Sequence, residues 1–130
     1  MWSAYLVVIA GGGLGSAARL WMSGTLAARF GDTFPVGTFV VNALGCLIIG
    51  LFTALTSSDG PFLVSPLVRQ FVSIGMLGGF TTFSSFGLQT MTLLTEGEWF
   101  YAGLYVFLSV MVCLAFVWVG LMLGAAFSPK

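Results

Sequence analysis

The sequence predicts an all-α membrane protein of four transmembrane helices, with a break inside the third. Three observations carry this. Of the 130 residues, 58% are hydrophobic and only 6% charged, and mean hydropathy is +1.08, whereas a soluble domain carries about a quarter charged residues to solvate its surface. A span needs about 20 mostly apolar residues, and polar, turn-forming clusters divide this chain into four such runs. The third run carries Gly78-Gly79 followed by Thr81-Thr82, Ser84-Ser85 and Gly87, a composition that disfavours a continuous helix.

The first span covers roughly 5–28 and is closed by Arg29, Gly31, Asp32 and Pro35. It lacks a basic leader and a small-residue cleavage site, so it reads as a retained span rather than a signal peptide. The second, 36–55, starts after Pro35 and ends in the loop Thr56-Ser57-Ser58-Asp59-Gly60-Pro61. The third, 66–94, opens on Pro66 and contains Gly75-Met76-Leu77-Gly78-Gly79-Phe80-Thr81-Thr82-Phe83-Ser84-Ser85-Phe86-Gly87. The fourth, 99–127, follows Thr95-Glu96-Gly97-Glu98. The whole chain, 1–130, is then a single transmembrane domain. Gly11 with Gly15, Gly75 with Gly79 and Gly120 with Gly124 are small residues spaced by four, suited to close helix packing either within one subunit or across a dimer.

Composition removes several function classes. With no His and two isolated Cys, there is neither an imidazole base nor a recognisable metal-ligand cluster, and no enzymatic activity is expected. Four scattered basic residues balance four acidic ones, which leaves no footprint for nucleic acid. Gly11-Gly12-Gly13-Leu14-Gly15-Ser16 imitates a dinucleotide fingerprint, but Ser16 stands at its last glycine and the segment is a full span. Cys46 and Cys113 fall in mid-span and read as inert buried thiols.

Positive charge hardly distinguishes the two membrane faces. Arg69 and Lys130 fall on one side, Arg29 and an outward-reaching Arg19 on the other. Such a chain would insert both ways up and pair antiparallel with its own copy, unless one residue of bias suffices to orient it. Arg19 reads as an anchor to phosphate headgroups or to a partner loop. Four short helices enclose a polar pathway poorly alone, which also favours a homo-oligomer.

Polar groups inside a bilayer need partners, so they mark candidate sites. Thr38 and Asn42 are four apart on one face of the second span, and Asn42 is either interhelical glue or a pathway ligand. A break near Gly78–Gly87 would free carbonyl oxygens at membrane depth, which suit a hard cation such as sodium. Phe83 and Phe86, three apart, project to one side of the following half-helix. They are lipid-facing rings, or rings whose positive edges stabilise a dehydrated anion. Tyr105 and Ser109 add hydroxyls four apart on the fourth span, with Cys113 continuing the stripe. Donors without embedded carboxylates suit an anion better than a cation.

The run Gly78-Gly79-Phe80-Thr81-Thr82-Phe83-Ser84-Ser85-Phe86 resembles the signature of the CrcB (Fluc) family of fluoride channels. Gly15 to Arg19 resembles that family's first-helix motif, and Gly37-Thr38-Phe39-Val40-Val41-Asn42 its second-helix motif; the resemblance spans the chain. It implies a dual-topology, antiparallel homodimer in the bacterial plasma (inner) membrane, with two narrow pores through which fluoride leaves the cytoplasm passively and fluoride resistance results. It implies that Phe83 and Phe86 are the pore phenylalanines, that Asn42 is the pore asparagine, that Tyr105 and Ser109 lie on a polar track, and that carbonyls of Gly78 and Thr81 hold a structural sodium at the dimer centre. Two positions depart: Gln89 stands where some relatives have Glu, and Cys113 where some have a hydroxyl. A small proton-coupled multidrug exporter is the competing class, but it needs a carboxylate deep in the membrane, and Asp32, Asp59, Glu96 and Glu98 all fall in loops. A structural subunit with no transport role would leave the broken third helix unexplained.

Overall fold

The structure is a computed structural model describing residues 1–31 and 33–127; Asp32 and Lys130, both weighed above, lie outside the described residues. Helix α1 runs Trp2–Phe30 and stops at Gly31, whose φ of 80° is open to glycine and whose N–H donates to the Ala27 carbonyl at 2.9 Å. Pro35 precedes α2, Val36–Leu55. The α2 end is fastened twice: Thr56 Oγ1 donates to the Phe52 carbonyl at 2.7 Å, and the Arg69 guanidinium donates to the Thr56 carbonyl. Ser65 then starts α3, its hydroxyl accepting from the Val68 N–H at 3.3 Å with Pro66 at the first helical position.

Helix α3, residues 66–80, begins as Pro66–Arg69, widens into a π-helical stretch over Gln70–Met76 and returns to α geometry for Leu77–Phe80. Thr81 and Thr82 are extended, and helical bonding resumes in α4, Phe83–Thr95. The chain turns at Gly97 (φ 82°) into α5, Trp99–Ala125.

Among the described residues, four segments, the third counted as Pro66–Thr95, are long and apolar enough to cross a membrane. Only 11% of the most apolar window of α1, and likewise of α5, is buried inside the chain. Rings and aliphatic chains such as Trp21, Phe107, Leu114 and Trp118 point outward, an arrangement stable only where lipid or another apolar surface replaces water.

Two tight seams build the fold. Against α1, a Cβ on Gly11 would come within 2.6 Å of the Phe71 carbonyl, and one on Gly79 within 2.5 Å of the Gly12 carbonyl. The π-helical stretch therefore lies where α3 meets α1 backbone to backbone. Between α2 and α5, a Cβ on Gly120 would strike the Leu47 carbonyl and reach within 2.7 Å of the Leu51 N–H, and Gly124 sits against Ala54. All three glycine pairs thus pack within the subunit. Helices α2 and α5 form the most extensive contact and run parallel, since rising residue numbers on one meet rising numbers on the other.

The α2–α5 seam admits a direct test. Gly120→Ala forces α5 away from α2 backbone, and overpacking of this kind costs about 1–3 kcal/mol. Gly103→Ala on the same helix meets open space and is the control. Thermal unfolding in detergent should show the first variant markedly weakened and the second unchanged.

Candidate functional site

The two extended residues between α3 and α4 organise the site. In a helix that ran on, Thr82 would return its N–H to the Gly78 carbonyl. Instead that N–H donates to Asn42 Oδ1 at 2.7 Å, while Asn42 Nδ2 donates to the Thr82 carbonyl at 3.0 Å. The side-chain amide replaces the strand neighbour that an extended peptide lacks at membrane depth. Asn42 is thus glue between α2 and the interruption, with one of its two N–H donors still free. Thr82 also caps α4, its hydroxyl accepting from the Ser85 N–H at 3.2 Å. From the other side, Ser16 Oγ donates to the Gly79 carbonyl at 3.4 Å and Arg19 Nη1 to the Thr81 carbonyl at 3.5 Å.

Between this interruption and α5 lies a cavity of about 460 Å³ lined by Asn42, Cys46, Ser73, Gly78, Thr81, Thr82, Phe83, Phe86, Ser109 and Cys113, among others. None of the lining residues is an acid, a lysine or an arginine. Ser109 is 7% exposed, and its hydroxyl has no hydrogen-bond partner among the described residues. A buried hydroxyl left open in this way asks for a water or an ion.

The aromatic groups form a file. Phe83 and Phe86 have ring centroids 5.3 Å apart, Phe86 and Tyr105 5.2 Å, and Tyr105 and Phe34 5.4 Å at 80°, an edge-to-face pair. Phe83 is 82% exposed at the open side of the cavity, and Tyr105 is fully buried. The Tyr105 hydroxyl donates to Gln89 Oε1 at 2.9 Å and lies beside Thr38.

Of the predicted residues, Asn42, Phe83, Phe86, Ser109, Gly78 and Thr81 meet in this one cavity. Thr38 and Tyr105 stand behind Phe86, outside its lining. Sequence reasoning missed Ser73 as a lining group, the cap at Thr82, the reach of Ser16 and Arg19, and Gln89 as the partner of Tyr105. The one available signal was the spacing of Thr82 and Ser85 at the head of an apolar half-helix.

A regularity links α2 and α5. Thr38 with Tyr105, Asn42 with Ser109, Cys46 with Cys113 and Gly50 with Val117 are each 67 positions apart, and within each helix they recur every fourth residue. Gly50 packs on the Val117 backbone, and Thr38 lies beside Tyr105. The polar stripes of the two helices therefore run rung for rung along one seam.

A family model described as CrcB-like protein, Camphor Resistance (CrcB), matches residues 6–121. The chain is 52% identical over 118 residues to a protein of Opitutus terrae named Fluoride-specific ion channel FluC, covering 91% of this chain and 89% of the relative. Proteins of the same name from Rhodospirillum rubrum and Methylocella silvestris are 50% and 47% identical over 116 and 122 residues. Those alignments cover 89% and 94% of this chain and 90% and 93% of the relatives.

Proposed function

This multi-pass membrane protein belongs to the CrcB family, and from that premise we propose that it is a fluoride-selective channel whose pathway follows the cavity between Asn42, Phe83, Phe86 and Ser109. The observation that carries the reading is the Ser109 hydroxyl, buried, unpartnered and facing that cavity. Fluoride is small and strongly hydrated, so a selective path must replace its water with several donors while leaving exit possible. The Ser109 O–H and the spare Asn42 N–H supply donors, and the Phe83 and Phe86 rings supply positive edges. Tyr105 and Thr38 support this file from behind; Gln89 holds the Tyr105 hydroxyl. No fixed charge lines the cavity, which keeps the anion from being trapped. The negative-inside potential of a bacterial inner membrane would then drive fluoride outward without coupling to protons.

A second copy completes the arrangement. The exposed Phe83 ring and the sparsely buried faces of α1 and α5 support a homodimer, and the balanced charge supports its antiparallel, dual-topology form. The carbonyls of Gly78 and Thr81, at the C-terminal end of α3, are oxygen donors suited to a structural sodium, Gly78 having lost its helical partner to Asn42 and Thr81 keeping a second lone pair beside its long contact with Arg19. The ion would supply a positive charge that fixes the carbonyl ends; two copies would double the oxygens available to it.

The test is efflux from liposomes holding the purified protein, with potassium and valinomycin setting the voltage and chloride as the comparison anion. Voltage-driven fluoride efflux without chloride efflux is expected. It should slow about tenfold in Ser109→Ala, a loss near 1.4 kcal/mol of ion stabilisation, and recover in Ser109→Thr. Efflux that requires a proton gradient would return the exporter reading.

A further inference from the structure

We propose that Cys46 and Cys113 form a two-thiolate site for a soft, thiophilic cation, for which Hg2+ is the probe, and that its occupancy closes the cavity. Each cysteine is free and half-buried. They stand on α2 and α5 at the same 67-residue offset as Thr38 with Tyr105, one turn beyond Asn42 and Ser109, so the parallel seam sets the two side chains at one level of the same cavity. Both thiols line the cavity that holds Asn42, Phe83 and Ser109, and an ion bridging them projects into that space.

The chemistry matches the surroundings. Thiolates are the ligands that soft d10 cations prefer over carbonyl or hydroxyl oxygen. Binding exchanges two S–H bonds for two S–Hg bonds, releases two protons and changes no oxidation state. Two thiolates neutralise Hg2+, so the bridged product is uncharged, which a lipid-embedded interior requires. Neither thiol alone gives a neutral product without an extra anion.

Two readouts separate this proposal from the channel reading on which its closing step rests. The first is intact mass of the purified protein after several equivalents of Hg2+ and challenge with excess free cysteine. Wild type is expected to retain one Hg2+ per chain with loss of two protons, while Cys46→Ser and Cys113→Ser retain at least a hundredfold less. Two Hg2+ per chain in wild type, or equal retention in either single variant, would overturn the bridged site. The second is fluoride efflux before and after Hg2+. Wild-type efflux should fall at least tenfold and return on adding a dithiol, whereas the Cys46→Ser, Cys113→Ser double variant should not respond. Retained Hg2+ with unchanged efflux would overturn the closing step. Absence of fluoride efflux before Hg2+ would sink the channel reading and the closing step, while the mass measurement still decides the site.

Discussion

Fluoride efflux through the Phe83→Ile protein is expected to fall by about a hundredfold or more. Isoleucine keeps the apolar volume but has no ring, and so no positive edge to present to an anion that has shed its water. The loss is greater than for one hydroxyl because Phe83 starts the aromatic file, its centroid 5.3 Å from Phe86. A hundredfold corresponds to about 2.7 kcal/mol at the barrier. Phe83 is mostly exposed in the single chain, so the substitution costs little folding free energy there. The liposome assay with a folded, unchanged gel-filtration profile checks the claim, and wild-type efflux in the variant would remove the aromatic pathway.

The second large effect concerns Asn42, where fold and permeation meet. Asn42→Leu leaves the Thr82 N–H and carbonyl both unpaired, and each unsatisfied buried group costs about 1–3 kcal/mol. The variant should therefore lose about 2–6 kcal/mol of stability together with efflux. Asn42→Asp separates the two roles. Protonated at low pH, the acid can accept from the Thr82 N–H and donate to its carbonyl, so thermal stability should recover in part there; ionised, it has no donor for that carbonyl, and its negative charge beside the cavity should suppress anion passage. Equal stability losses in the two variants at low pH would mean that the hydrogen bonds to Thr82 are not what Asn42 contributes.

Much of this architecture was readable before any coordinates, because lipid imposes a simple demand on a chain: about 20 apolar residues per crossing, with polar loops between. Composition makes residues 78–87 a poor helix, and the two extended residues, Thr81 and Thr82, fall within that stretch. The π-helical turn was not readable, since Gln70–Met76 has the composition of ordinary apolar helix and its geometry coincides with backbone contact to α1. Asn42 could be singled out but not assigned, because its partner is 40 residues away. From sequence the two cysteines read as inert buried thiols for a similar reason. Their pairing exists only once α2 and α5 are known to be parallel and in register.

The lengths of the helices carry one more consequence. At 1.5 Å per residue, α1 with 29 residues and α5 with 27 are about 44 and 40 Å long, whereas α2 with 20 is about 30 Å. Pro35 stops α2 at one end, and Arg69 holds its last turn at the other, so α2 has no slack to take up. Its span equals the hydrocarbon thickness of an ordinary bilayer. The long helices, whose ends extend past α2, adapt to a thicker or thinner membrane by letting more or less of those ends protrude. Helix α2 does not, and because it carries Asn42, acyl-chain length becomes a mechanical input to the Thr82 clamp.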